Sequence, residues 1–258
     1  MRPLKTTFII LLFATNGFAQ SLYFSGMFGF DQFNGPMTFS NPNGSNSGTA
    51  FSLLLGVPVY KQKINLELEY SHLSSGFKQG NGNSIGEYSI NRSELIPAVK
   101  VYFGQTKFSL YARFGIVIDF PGIREQDRIY AVFDTIPQTP NANTPDIHYT
   151  TSITQGNYAY GIKAGVGYNY KLIPSVSAFI ELNYTGIHWT PTHSEVTEAT
   201  GGVNLANFTI AQKQIDYLQF PTIYVNPAQP SQQLAPSNSF ESYGLTIGIT
   251  FYLGRIRN

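Results

Sequence analysis

Cysteine is absent from the 258 residues. That excludes a disulfide framework, a thiolate metal centre and a lipid-modified N-terminal Cys. Charge is scarce: 12% of residues are charged, about half the share usual in soluble domains. The formal net charge of +1 offers no basic surface for nucleic acid. Long apolar runs are missing as well, and the mean hydropathy is −0.10. A membrane-spanning helix needs roughly 20 consecutive apolar residues, so a polytopic helical membrane protein is excluded. What the chain has instead is 17 Tyr, 20 Phe and 24 Gly. That is far too aromatic for a solvated coil, and the length allows one large β domain or two small ones.

The first residues are set aside as a targeting segment. Arg2 and Lys5 form a basic region, residues 8–14 a short apolar one, and Gly17-Phe18-Ala19 offers small residues where a signal peptidase reads them. The sequence therefore predicts a signal peptide over residues 1–19 and an exported chain over 20–258. Losing Arg2 and Lys5 turns the formal charge from +1 to −1.

Alternation with period two then recurs along the chain. Ile64, Leu66, Leu68 and Tyr70 share one face, with Asn65, Glu67, Glu69 and Ser71 on the other. The same pattern runs through residues 95–103, 108–120, 158–170, 176–185 and 243–253, and more weakly through 21–30 and 48–57. That makes eight strands. The charges on them are Glu67, Glu69, Arg92, Glu94, Lys100, Arg113, Asp119, Lys163 and Glu181, all opposite the apolar residues.

Runs of about 10 to 16 residues exceed the usual 5 to 6 of soluble sheets and suit a membrane strand of about 9 to 11. Aromatics such as Phe30, Tyr70, Phe103, Phe108, Tyr170 and Phe251 stand near the ends of the apolar faces, where bilayer interfaces favour them. Connection lengths agree. Residues 31–47, 73–88, 121–154 and 190–241 are long; 58–63, 104–107 and 171–174 are short. Strict alternation of long and short, with an even strand count, predicts an eight-stranded antiparallel transmembrane β-barrel in the bacterial outer membrane. Its short turns are periplasmic and its long loops extracellular.

Three stretches also carry a family resemblance: Asn65-Leu66-Glu67-Leu68-Glu69-Tyr70, Glu94-Leu95-Ile96-Pro97-Ala98-Val99-Lys100 and Gly161-Ile162-Lys163-Ala164-Gly165-Val166-Gly167. Together residues 51–77, 93–118 and 161–187 resemble the outer-membrane β-barrel domain common in Bacteroidetes, including its PorT-like members. The resemblance implies the fold and says little about function.

Eight strands enclose a space just wide enough for side chains to fill. The nine charges are expected to plug it by pairing, since isolated buried charge is costly; a narrow, porin-like channel is the alternative. Three constellations are candidates for chemistry. His72 and Ser74, with Glu87 on the next strand, resemble the His-x-Ser motif of lipid A 3-O-deacylases, a Ser–His–Glu arrangement for acyl transfer at the outer leaflet. His188 and His193 flank Trp189 as a weak metal pair, and Arg124-Glu125-Gln126-Asp127-Arg128 reads as a solvated loop. The expectation is no catalytic residue, no metal and no cofactor. The expected partners are outer-membrane lipids, lipopolysaccharide and an extracellular protein or glycan at the long loops, with the barrel a monomer. Residues 203–210 and 216–225 alternate weakly, as an external hairpin or, alternatively, as two further membrane strands.

Overall fold

The computed structural model describes residues 22–34, 46–60, 63–81, 84–104, 107–133, 146–156, 158–199, 205–221, 226–235 and 238–253. The predicted signal peptide lies outside the described residues. The strands are β1 (Leu22–Asn34), β2 (Asn46–Tyr60), β3 (Ile64–Asn81), β4 (Ser84–Phe103), β5 (Phe108–Phe133), β6 (Asp146–Gly156), β7 (Tyr160–Ile173), β8 (Val176–Trp189) and β9 (Pro191–Ala199). A 3₁₀ turn (Leu205–Asn207), the short helix α1 (Ile210–Lys213), β10 (Gln214–Leu218), β11 (Ser231–Leu234) and β12 (Asn238–Leu253) complete them.

Eight strands close on themselves in the order β5, β4, β3, β2, β1, β12, β8, β7 and back to β5. Every pairing in that ring is antiparallel. Closure leaves the ring no open edge, the condition for a sheet to sit in lipid. The tight connections share one end with Leu22 and Leu253, which pair with each other. The turn after Phe103 uses Gly104 at φ +101°, a left-handed conformation that suits glycine.

Alternation decides what each face meets. Leu53, Leu66, Leu68, Ile116, Ile180 and Ile247 stand exposed on the outside, and their neighbours in sequence point inward and are buried, or half-buried beside Ile247. An apolar surface running right round the barrel far exceeds what water tolerates; it is the belt of a transmembrane barrel. Aromatic pairs brace its rims. Phe24 stacks on Phe251 (4.9 Å), and Phe108 meets Tyr170 at a tilt (4.7 Å), toward the turn end. Phe120 meets Tyr158 edge-on (5.8 Å) and Tyr184 meets Tyr243 (5.2 Å) toward the other.

That other end is taller than the sequence indicates. β3 and β4 continue as a hairpin through most of residues 73–88, predicted as loop, and β5 runs on to Phe133. Along β5 the partner changes from β7 (up to Ile118) to β6 (from Arg124), so β6 and β7 lie end to end. β8 and β9 do the same, joined through Thr190. β9 then pairs with β6 and β10, and β10 with the parallel strand β11, whose far side is unpaired among the described residues. Among the described residues, the two extra membrane strands considered for 203–210 and 216–225 are not formed. Leu205–Asn207 and Ile210–Lys213 are helical turns, and β10 extends the wall beyond the belt. Beyond the bilayer neither face must be apolar, so hydropathy loses its period while Ser- and Thr-rich backbone keeps the ladder.

Candidate functional site

The lumen is where the polar chemistry converges. All nine sequence-predicted charges, Glu67, Glu69, Arg92, Glu94, Lys100, Arg113, Asp119, Lys163 and Glu181, stand on inward-facing positions. All are buried except Lys163, which is partly so.

Six of them form a central knot. Arg113 of β5 donates from Nε to Glu67 Oε2 at 2.6 Å, and its Nη1 lies 2.6 Å from Glu69 Oε2 and 3.8 Å from Glu181. Lys100 reaches Glu67 Oε1 at 3.0 Å, and Lys163 donates to Glu69 Oε1 at 3.0 Å. Three acids thus meet three bases. Charge-assisted hydrogen bonds of this length are the strong class, and full pairing is what makes buried charge tolerable.

Apolar layers close the knot on both sides. Toward the turn end Tyr23, Met27, Leu54, Tyr111 and Phe179 pack together, with Tyr102 and Tyr252 against them. Tyr23 donates its hydroxyl to Glu67 at 2.7 Å and accepts from Asn65 at 3.0 Å. Lys100 Nζ lies 4.3 Å from the Tyr111 ring centroid, a cation–π contact. Toward the tall end Ile90, Ile96, Val117, Ala159, Ile187, Trp189 and Phe240 form the second layer.

Inward glycines provide the room. A Cβ on Gly56 would come within 2.2 Å of the Tyr23 ring, and one on Gly165 within 2.8 Å of the Glu181 carboxyl carbon. Gly56→Val is therefore expected to push Tyr23 off Glu67 and cost about 1–3 kcal/mol, the usual penalty of overpacking. Urea unfolding of the folded barrel in detergent reads it, and an unchanged midpoint would mean the ring layer is loose.

A second, outer cluster holds Arg92, Glu94 and Asp119. Arg92 pairs with Glu94, and Glu94 stands directly across from Asp119 in the β4–β5 register. Sequence reasoning missed Asp31, assigning it to the first loop. β1 continues past it, and its carboxylate lies over Gly244, where a Cβ would come within 1.8 Å. The ring layers were missed too, since inward aromatics share the parity of the charges and look like lipid-facing ones by type alone.

The Ser–His–Glu arrangement is not brought together. His72 is exposed on the outside, and its Nδ1 lies 3.0 Å from Ser93 Oγ. Ser74 is across from Asn91, while Glu87 stands across from Lys78 in the strand register, six positions beyond His72, or roughly 20 Å along the strand. His193 Nδ1 sits 2.7 Å from Asp216 Oδ1 on the β9–β10 wall. Among the described residues no three His, Asp or Glu side chains converge as a metal cage. The side chains of residues 124–128 lie outside the described ones.

No family model matches the chain and no curated protein does; the resemblance to the Bacteroidetes barrel domain gains no support there. Similar solved structures include Ail, the attachment invasion locus protein of Yersinia pestis, 8% identical over 91% of this chain and 99% of that one, with a TM-score of 0.38. Neisserial surface protein A is 10% identical over 89% and 96%, with a TM-score of 0.38. The outer membrane protease OmpT of Escherichia coli is 9% identical over 92% and 97%, with a TM-score of 0.42. The closed strand ladder and its apolar belt establish the barrel fold without them.

Proposed function

We propose that this chain is an outer-membrane barrel with a closed lumen, serving as a structural and surface-interaction protein rather than an enzyme or a pore. The observation that carries the reading is the central knot, with Arg113 held by Glu67 and Glu69 at 2.6 Å each between two apolar layers. An eight-stranded lumen filled in this way leaves no continuous water path. In this reading the short turns face the periplasm, the belt contacts lipid and the tall wall stands at the cell surface beside lipopolysaccharide. The wall supports a role in interaction. Leu218 and Leu234 are neighbours in the β10–β11 register and both are exposed, and Phe220, two residues on, is 87% exposed. Exposed apolar clusters of this kind mark protein or ligand contact.

Planar-bilayer recording of the folded chain is expected to show no channel events. Persistent conductance would overturn the closed lumen. Expression in a host with hexa-acylated lipid A should leave its mass spectrum unchanged; loss of an acyl chain that disappears in His72→Ala would restore the outer-leaflet hydrolase reading.

A further inference from the structure

Charge is sorted between the two ends of the barrel. The three short turns, residues 58–63, 104–107 and 171–174, hold four lysines and no acid. The long segments 31–47, 73–88, 121–154 and 190–241 hold ten acids against four bases. Beyond β12 the sequence adds Arg255 and Arg257, again with no acid. The lumen charges nearly cancel, so the chain is electrically polar along its axis, positive where the turns are.

Three of the turn lysines are among the described residues, and all stand at the same boundary. Lys63, Lys107 and Lys171 are followed directly by Ile64, Phe108 and Leu172, each an exposed apolar side chain. Lys63 and Lys107 are themselves exposed, and Lys171 is half-buried. The described ion pairs belong to the lumen and the wall, so among the described residues none of the three lysines has an acid partner. Backbone bonds hold the turns to their neighbours: Tyr102 N–H donates to Lys63 O at 2.8 Å, and Lys171 N–H donates to Lys107 O at 3.0 Å. Lys107 Nζ lies 5.1 Å from the Tyr170 ring centroid, so that ammonium folds back over the aromatic rim in a cation–π contact. The cations therefore stand where hydrocarbon gives way to headgroups, and turns this short give them no reach beyond that layer.

We propose that the turn end binds anionic glycerophospholipid headgroups through Lys63, Lys107 and Lys171. A lysine at this depth lays its stem along apolar surface and keeps its charge in the polar layer. There the ammonium donates charge-assisted hydrogen bonds to phosphate oxygens, while the acyl chains run along the adjoining belt. Zwitterionic lipids carry their own cation in the headgroup and gain less. A soluble acidic protein would use the charge but not the exposed Ile64, Phe108 and Leu172 beside it. Assigning these lipids to the periplasmic leaflet rests on the periplasmic placement of the short turns; the lipid preference itself does not.

Spin-labelled lipids read the preference. The full barrel is reconstituted in zwitterionic vesicles, and the motionally restricted fraction is compared for phosphatidylglycerol and phosphatidylcholine labelled at the same acyl position. Phosphatidylglycerol should be favoured, by about fivefold for each occupied lysine site. The preference should fall toward parity in about 1 M salt, where screening acts within about 3 Å. Lys63→Gln, Lys107→Gln and Lys171→Gln should each lower it, and together they should abolish it. The corresponding arginine variants should keep it, and Lys213→Gln at the tall end should leave it unchanged. Equal restriction of the two labels, or a preference that survives the triple glutamine variant, would overturn the site. So would saturable binding of soluble polyglutamate without any lipid preference, which would give the patch to an acidic protein. The leaflet is tested separately with Lys107→Cys, a single thiol in a chain that has no other. A membrane-impermeant maleimide should modify it only after the outer membrane is opened. Modification in intact cells would overturn the periplasmic placement, and channel events would overturn the closed lumen; neither result would move the lipid preference.

Discussion

Replacing Arg113 with Met is expected to destabilise the barrel by about 3–5 kcal/mol, the largest loss among single lumen substitutions. The magnitude follows from what is left behind. Glu67 and Glu69 each lose a 2.6 Å contact; Glu67 keeps Lys100 at 3.0 Å and the Tyr23 hydroxyl at 2.7 Å, and Glu69 keeps Lys163 at 3.0 Å. Both acids are buried, so water does not take over the lost hydrogen bonds. Met fills most of the volume, which keeps the cavity contribution small and isolates the charge. Double-mutant cycles sharpen the test. Coupling of Arg113 with Glu67→Gln and with Glu69→Gln should fall in the range of about 0.5–3 kcal/mol typical of contacting residues. Glu181, at 3.8 Å, should couple more weakly. Glu94, held by Arg92 in the other cluster, should barely couple. Unfolding in detergent across a salt series reads all four. If every coupling were near zero and vanished with salt, the lumen would be wet and screened, and the closed-lumen reading would fail with it.

The partners of Arg113 could not be named from the sequence, although their face could. Side-chain parity repeats every two residues, so sliding one strand by two positions leaves the apolar belt and charged face intact while exchanging every ion pair. Hence Glu67 and Glu69 were legible as members of a cluster, whereas the Arg113 contact with Glu181 depends on placing β8 beside β7 in the observed register. The eight membrane strands were legible because lipid outside and a filled lumen inside impose opposite demands on alternate residues. Where the bilayer ends, that demand ends too. Asp31 therefore looked like the start of a loop, and β6, β9 and β10 fell largely in segments predicted as loop although the structure pairs them, with two bulges in the β6–β9 ladder. The His72–Ser93 contact was illegible for the same reason as the ion pairs: Ser74 is nearer in sequence, but Ser93 is the residue across the strand.

Leu68→Arg and Ile180→Arg are each expected to cost about 2–4 kcal/mol, the penalty for a cationic side chain on the lipid face near mid-bilayer. Leu68 is 39% exposed and Ile180 46% exposed, on opposite sides of the ring. In water, positions so exposed would accept arginine with almost no loss, because surface substitutions usually stay within about 0.5 kcal/mol. The sign of the effect therefore identifies the solvent outside the barrel. Thr246 is the internal control: it faces the lumen and accepts a hydrogen bond from Asn183 at 2.9 Å. Thr246→Ser keeps that hydroxyl and should leave both insertion and the unfolding midpoint unchanged. The measurement is reversible unfolding from lipid vesicles, with the same variants followed in detergent. In vesicles the two arginine variants should lose stability, and the loss should shrink in detergent, where a thin flexible micelle lets the guanidinium reach water. Equal tolerance in both settings would mean that the apolar belt meets a protein surface instead of lipid, and the transmembrane reading of the fold would have to be withdrawn.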